Sequence, residues 1–119
     1  MKKVLYTFFL WYNNIGDTMI RSIEIIINSA VKTDIYLFDI EDKSCFVNKR
    51  KYKVTDEYID NIKNTILYWK KEYGTSNIID LEEFTVKVYA NGKIDTYHGK
   101  GIYPDNYDYF KELLGEFNG

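Results

Sequence analysis

Cys45 and His98 are the only cysteine and the only histidine in the chain, so thiol–imidazole chemistry would have to pair these two residues. Such catalysis needs a thiolate activated by a base that a third group orients. Nothing in their spacing brings the two together. Cys45 precedes Phe46 and Val47 and reads as a small buried hydrophobe, and burial disables a thiol by raising its pKa. One cysteine excludes a disulfide framework and a cysteine-based zinc site, and one histidine leaves little for general-base work.

Carboxylates crowd two places. Asp39, Glu41 and Asp42 share one turn with Lys43, and such a cluster could hold Mg²⁺ or Ca²⁺. The Glu41-to-Lys43 spacing faintly resembles the strand of metal-dependent nucleases. The calcium-loop pattern is absent, because no glycine sits at the sixth position and no glutamate closes a twelve-residue loop. A solvated hairpin tip accounts for these charges without a metal. Asp80, Glu82 and Glu83 read the same way, as a polar approach to a strand. Gly99-Lys100-Gly101 lacks the spacing of a phosphate loop, so its glycines are expected to let the chain turn. No cofactor motif is present.

The densest run of recognition-type residues is Tyr97, His98, Lys100, Tyr103, Asn106, Tyr107 and Tyr109. The core stripe of the last helix begins only at Phe110. At least one of Tyr107 and Tyr109 should therefore point outward, where exposed aromatics meet partners. Tyr97, His98, Lys100, Tyr103, Tyr107 and Tyr109 are the candidate binding residues.

These residues must be positioned by strands and helices. Lys3 to Tyr12 reads as a strand ended by the turn-prone Asn13 to Asp17. Ile20 to Asn28, which contains Ile23, Ile25, Ile26 and Ile27, reads as a strand or a short buried helix. Asp34 to Ile40 and Cys45 to Val54 flank the turn Glu41–Ser44 as a hairpin. From Thr55 to Tyr73 the period changes: Ile59, Ile62, Ile66, Trp69 and Tyr73 mark one face of a helix. Thr55 is its N-cap, Asp56, Glu57 and Asp60 lie at its positive end, Lys70 and Lys71 at its negative end, and Gly74 stops it. Phe84 to Ala90 and Lys93 to His98 form a hairpin around Asn91-Gly92. A three-residue loop, Ala90-Asn91-Gly92, would set Val88 against Ile94, Val86 against Thr96 and Lys87 against Asp95, keeping one face apolar. That register is preferred over a two-residue loop. Pro104 and Asp105 should start the last helix, with the Asp105 carboxylate as cap, and Phe110, Leu113, Leu114 and Phe117 form its stripe.

The order of elements predicts an α+β fold, an antiparallel sheet of about five or six strands with two helices packed on one face. At 119 residues the chain is expected to be a single domain. There is no repeat, low-complexity linker or charge block. Hydrophobic residues make up 45% of it, which rules out wholesale disorder, and no apolar run is long enough to span a membrane. The net charge of −2 argues against a strongly basic nucleic-acid binder. Ile, Lys, Asn and Tyr are in excess while Ala and Pro are scarce. That bias toward AT-rich codons points to a low-GC genome, of a bacterium or its phage. Met1-Lys2-Lys3 and the apolar run after it imitate a secretory signal, but no small-residue cleavage site follows. A cytoplasmic location is the expectation.

The stretch Gly99 to Leu114 resembles a tail found in a small uncharacterised α+β family of low-GC bacteria. In that tail a strand ending in Gly leads to Tyr-Pro-x-Asn-aromatic and then to a Leu-Leu helix. Trp69 and Asp80 are similar to the same group, and the likeness covers residues 55–117. It implies a strand-to-helix junction fixed by Tyr103, Pro104 and Asp105, and it implies no activity.

The expected function is therefore a non-catalytic interaction protein, inhibitor- or immunity-like and carried by a mobile element, whose partner is another protein. Two other classes stay open. A small-molecule binding domain would need an apolar pocket of roughly 300 Å³ or more between sheet and helices. A metal-dependent hydrolase would use Asp39, Glu41 and Asp42.

Overall fold

A computed structural model describes residues 20–78 and 80–117. The expected strand from Lys3 to Tyr12 and the signal-like amino terminus lie outside the described residues. Six strands and two helices follow in the order β1 (Ile20–Asn28), β2 (Thr33–Asp39), β3 (Ser44–Val47), β4 (Arg50–Lys53), α1 (Asp56–Ile66), β5 (Glu83–Ala90), β6 (Lys93–Lys100) and α2 (Tyr107–Gly115). The strands form one antiparallel sheet in the order β4-β3-β2-β1-β5-β6. The fold is α+β, as the sequence predicts.

β1 settles as a strand because its isoleucines divide between two faces. Ile23, Ile25 and Ile27 are buried, while Glu24 and Ile26 lie on the other side. Register carries this alternation across the sheet: Ile25 sits opposite Tyr36 and Val86, and Ile23 opposite Phe38. Both helices cover that face. Ile62 and Ile66 of α1, with Tyr107, Phe110, Leu113 and Leu114 of α2, join the β1 isoleucines in one buried cluster. Burying a side chain of this size contributes roughly 1.5–3 kcal/mol, so this one layer holds the fold.

Thr55 caps α1 as expected, its Oγ1 accepting the Tyr58 amide at 3.0 Å. The helix is shorter than its apolar spacing suggests. It ends at Ile66 rather than Tyr73, with the Trp69 amide turning back to the Ile66 carbonyl at 2.9 Å. Lys70 and Lys71 therefore lie beyond its end. Trp69 is still buried, its ring edge-on to Phe84 and Phe110 at 5.4 and 4.9 Å. The chain then runs beside β6, where the Tyr73 amide donates to the His98 carbonyl at 2.8 Å.

Three further expectations are corrected. The segment Cys45 to Val54 is two strands, because Asn48 and Lys49 take positive φ (56° and 130°) and fold it into a hairpin. The β5–β6 loop has two residues: Ala90 pairs with Lys93, Val88 with Asp95 and Val86 with Tyr97. Asn91 at φ 54° and Gly92 at φ 77° make the tight turn that matches strand twist. β6 is an edge strand with an exposed amino-terminal half, so it has no apolar face to protect there. Finally, Asp105 does not cap α2. Asn106 holds the N-cap position without making a cap bond, and the Tyr107 amide donates to the Pro104 carbonyl at 3.0 Å.

Candidate functional site

The six candidate binding residues do not form one surface. Tyr107 is buried, stacked on Tyr103 with centroids 4.7 Å apart, and its hydroxyl donates to Glu82 at 2.6 Å. Burial and the Glu82 carboxylate push that phenol far above its ordinary pKa. Tyr103 donates to the Glu82 backbone carbonyl at 2.8 Å. These two tyrosines thus anchor the chain before β5. Tyr97 lies on the helix-covered face near Trp69, with centroids 6.4 Å apart, and burial raises its pKa. His98 and Lys100 point to the opposite face, because side chains alternate along a strand. Tyr109 points outward, as one of the pair must, and is 46% exposed.

The chemical alternatives fare differently. Cys45 and His98 stand on β3 and β6, four strand spacings apart or about 19 Å, and on opposite faces. Burial also pushes the Cys45 thiol up to about 12. Asp42 is committed to its own hairpin: Ser44 and Lys51 hold its carboxyl below the usual range, with Lys51 at 3.1 Å and Lys53 at 3.8 Å. Asp39 accepts the Asp42 amide at 3.0 Å. Among the described residues, no three His, Cys, Asp or Glu side chains converge on a metal position. A cleft of about 160 Å³ opens beside Lys32, Asp34, Glu82 and Lys111. It is smaller than ligand pockets usually are, and its charges are already paired: Lys111 with Glu82 at 2.8 Å and Lys32 with Asp34 at 3.5 Å. Gly99 serves packing, since a Cβ there would meet Phe84 at 2.7 Å and the Ile102 carbonyl at 2.6 Å.

The sheet's other face carries the distinctive surface. Among the described residues, no helix packs on it. Leu37 sits opposite Phe46, and Ile35 opposite Ile26. Ile35, Leu37 and Phe46 are 38%, 44% and 45% exposed. Single exposed apolar residues are ordinary, but adjacent ones on one face mark interaction surfaces. Lys51 lies directly across from Phe46, Lys49 sits with Asn48 in the adjoining turn, and Arg50 begins β4 opposite Val47 on the helix-covered face.

That basic border has a signal in the sequence that the overall net charge conceals. Residues 43–53 include Lys43, Lys49, Arg50, Lys51 and Lys53 and no acidic residue, inside a chain of net charge −2. Lys43 reaches Asp56 at 3.2 Å, while Lys49 and Arg50 are exposed. No family model matches the chain, and neither a curated protein nor a solved structure matches it. Among the described residues, no helix is long and apolar enough to cross a membrane.

Proposed function

We propose that this chain is a non-catalytic binding protein that docks another protein on the face of its sheet opposite the two helices. Ile35, Leu37 and Phe46 form the apolar centre, and Lys51 on the same face with Lys49 in the neighbouring turn forms a basic rim that selects an acidic partner surface. The observation that carries this reading is the adjacency of three large apolar side chains, each more than a third exposed, on a face that no helix covers among the described residues. Desolvating such a centre supplies affinity, and a charged rim supplies steering and choice of partner. An inhibitor- or immunity-like role fits, because occluding a partner needs a rigid surface and no catalytic group.

The test compares wild type with Phe46→Ser and with Lys49→Glu/Lys51→Glu, all shown to fold by circular dichroism. A supporting result is one acidic protein bound stoichiometrically, weakened about 30-fold or more by Phe46→Ser. Its association should slow with salt and with the charge reversal. Amide exchange should show protection on β2 and β3. Equal binding by Phe46→Ser, protection mapping to the helices, or binding of RNA in place of protein would overturn the reading.

A further inference from the structure

At the sheet's far edge His98 makes an arrangement that does not depend on the docking face. Nδ1 lies 2.9 Å from a Glu72 carboxylate oxygen, and Nε2 lies 2.6 Å from Glu83. Ionised carboxylates only accept hydrogen bonds, and neutral imidazole has one N–H to donate. A neutral ring would satisfy one glutamate and turn a lone pair toward the other. Only the imidazolium satisfies both.

The two glutamates belong to different parts of the chain. Glu83 is on β5, next to β6. Glu72 is on the segment that leaves α1 and lies parallel along the outer edge of β6. Backbone bonds hold that strap: the His98 amide to the Lys71 carbonyl at 2.9 Å, the Tyr73 amide to the His98 carbonyl at 2.8 Å, and the Lys100 amide to the Gly74 carbonyl at 3.0 Å. The strap has little apolar anchorage beyond Tyr73, whose ring lies 6.2 Å from Phe84. Other charges nearby are Lys100, across from Glu83 on β5, and Lys87, farther along β5 on the same face. Lys71 of the strap is engaged with Asp95 at 3.2 Å.

We propose that Glu72, His98 and Glu83 form a proton-operated latch that fastens the strap Lys71–Gly74 to β6, so that loss of the His98 proton frees the strap and bares the edge of the sheet. The Glu83 hydrogen bond chiefly, with Glu72 behind it, raises the imidazole's pKa above its ordinary value against the opposing pull of burial. The latch therefore contributes in full below the unfolded value of 6.5 and is lost as pH rises through the higher folded value. His98 holds the Glu72 carboxyl below its usual range, which keeps the latch charged into mild acid.

The chain has one histidine, so its ring proton resonances can be followed without assignment from about pH 5 to about pH 9. The expected result is titration above 6.5. Protection of the Tyr73, His98 and Lys100 amides, corrected for intrinsic exchange, should fall through the same midpoint, while that of Val86 stays. Glu83→Gln should lower the ring's midpoint and the strap's opening together. Titration at or below the unfolded value, or strap protection that ignores the protonation of His98, would overturn the proposal. The wild-type measurement decides the matter even where a variant fails to fold.

Discussion

The Trp69 indole N–H donates to the Asn106 side-chain oxygen at 2.7 Å, and the same amide group donates onward to the Thr65 carbonyl at 3.0 Å. Thr65 lies in the last turn of α1, where carbonyls have no intrahelical partner. The residue at the N-cap of α2 thus closes the end of a different helix. Its side chain joins α1, the buried indole and α2 at one point.

Asn106→Ala should consequently cost about 1–2 kcal/mol, because it orphans the indole donor and the Thr65 carbonyl together. Asp105→Ala, which breaks no cap, should stay within about 0.5 kcal/mol of wild type. Urea unfolding of both variants measures the contrast.

Ile62 is 1% exposed beneath the sheet. Ile62→Ala should destabilise by about 2–5 kcal/mol through lost burial and the cavity left behind. Ile94→Ala, on the exposed half of β6, should change stability by less than about 0.5 kcal/mol. Equal losses at the two sites would contradict the assignment of the faces.

Cys45 should be silent toward thiol reagents in the folded protein. It is fully buried and its thiol is pushed up to about 12, so near neutral pH it offers neither access nor thiolate. With increasing urea, its labelling should begin only where tryptophan fluorescence reports unfolding. Earlier labelling would reveal local opening of β3.

Gly92→Ala should cost about 1–2 kcal/mol, because a side chain at φ 77° meets its own backbone. No neighbouring atom obstructs the added methyl group, so the whole loss is conformational. Close cross-strand proton contacts between Val88 and Asp95, rather than Val88 and Ile94, would report the same two-residue turn.

Short-range physics was legible in the sequence. The Ile59-Ile62-Ile66 stripe and the Thr55 cap depend on neighbours three and four residues away, and both are present as read. The end of α1 was not legible, because Trp69 and Tyr73 keep helical spacing while reaching the core from the turn after Ile66 and from the strap beside β6. At Asn106 a tertiary partner decided what local capping rules could not. Tyr103 and Tyr107 resemble recognition residues until Glu82, more than twenty positions earlier, engages both hydroxyls. The exposed face was hidden for another reason: alternation in β2 separates Tyr36 and Phe38 from Ile35 and Leu37, but not inside from outside. Averaging the charge over the whole chain concealed the basic β3–β4 hairpin.

The pairing of β1 with β5 also fixes an order of events in folding. Asn28 meets Glu83 across a loop that contains β2, β3, β4 and α1. The β1–β4 meander closes through short turns, whereas β5 must return over a long separation, and such contacts form slowly. During synthesis from the amino terminus, β1 can pair with β2 long before Glu83–Ala90 exists. Until then its second edge stands open on a strand carrying Ile23, Ile25, Ile26 and Ile27. The nascent chain is most vulnerable to mistaken strand partners in that interval, and arrival of the β5–β6 hairpin ends it.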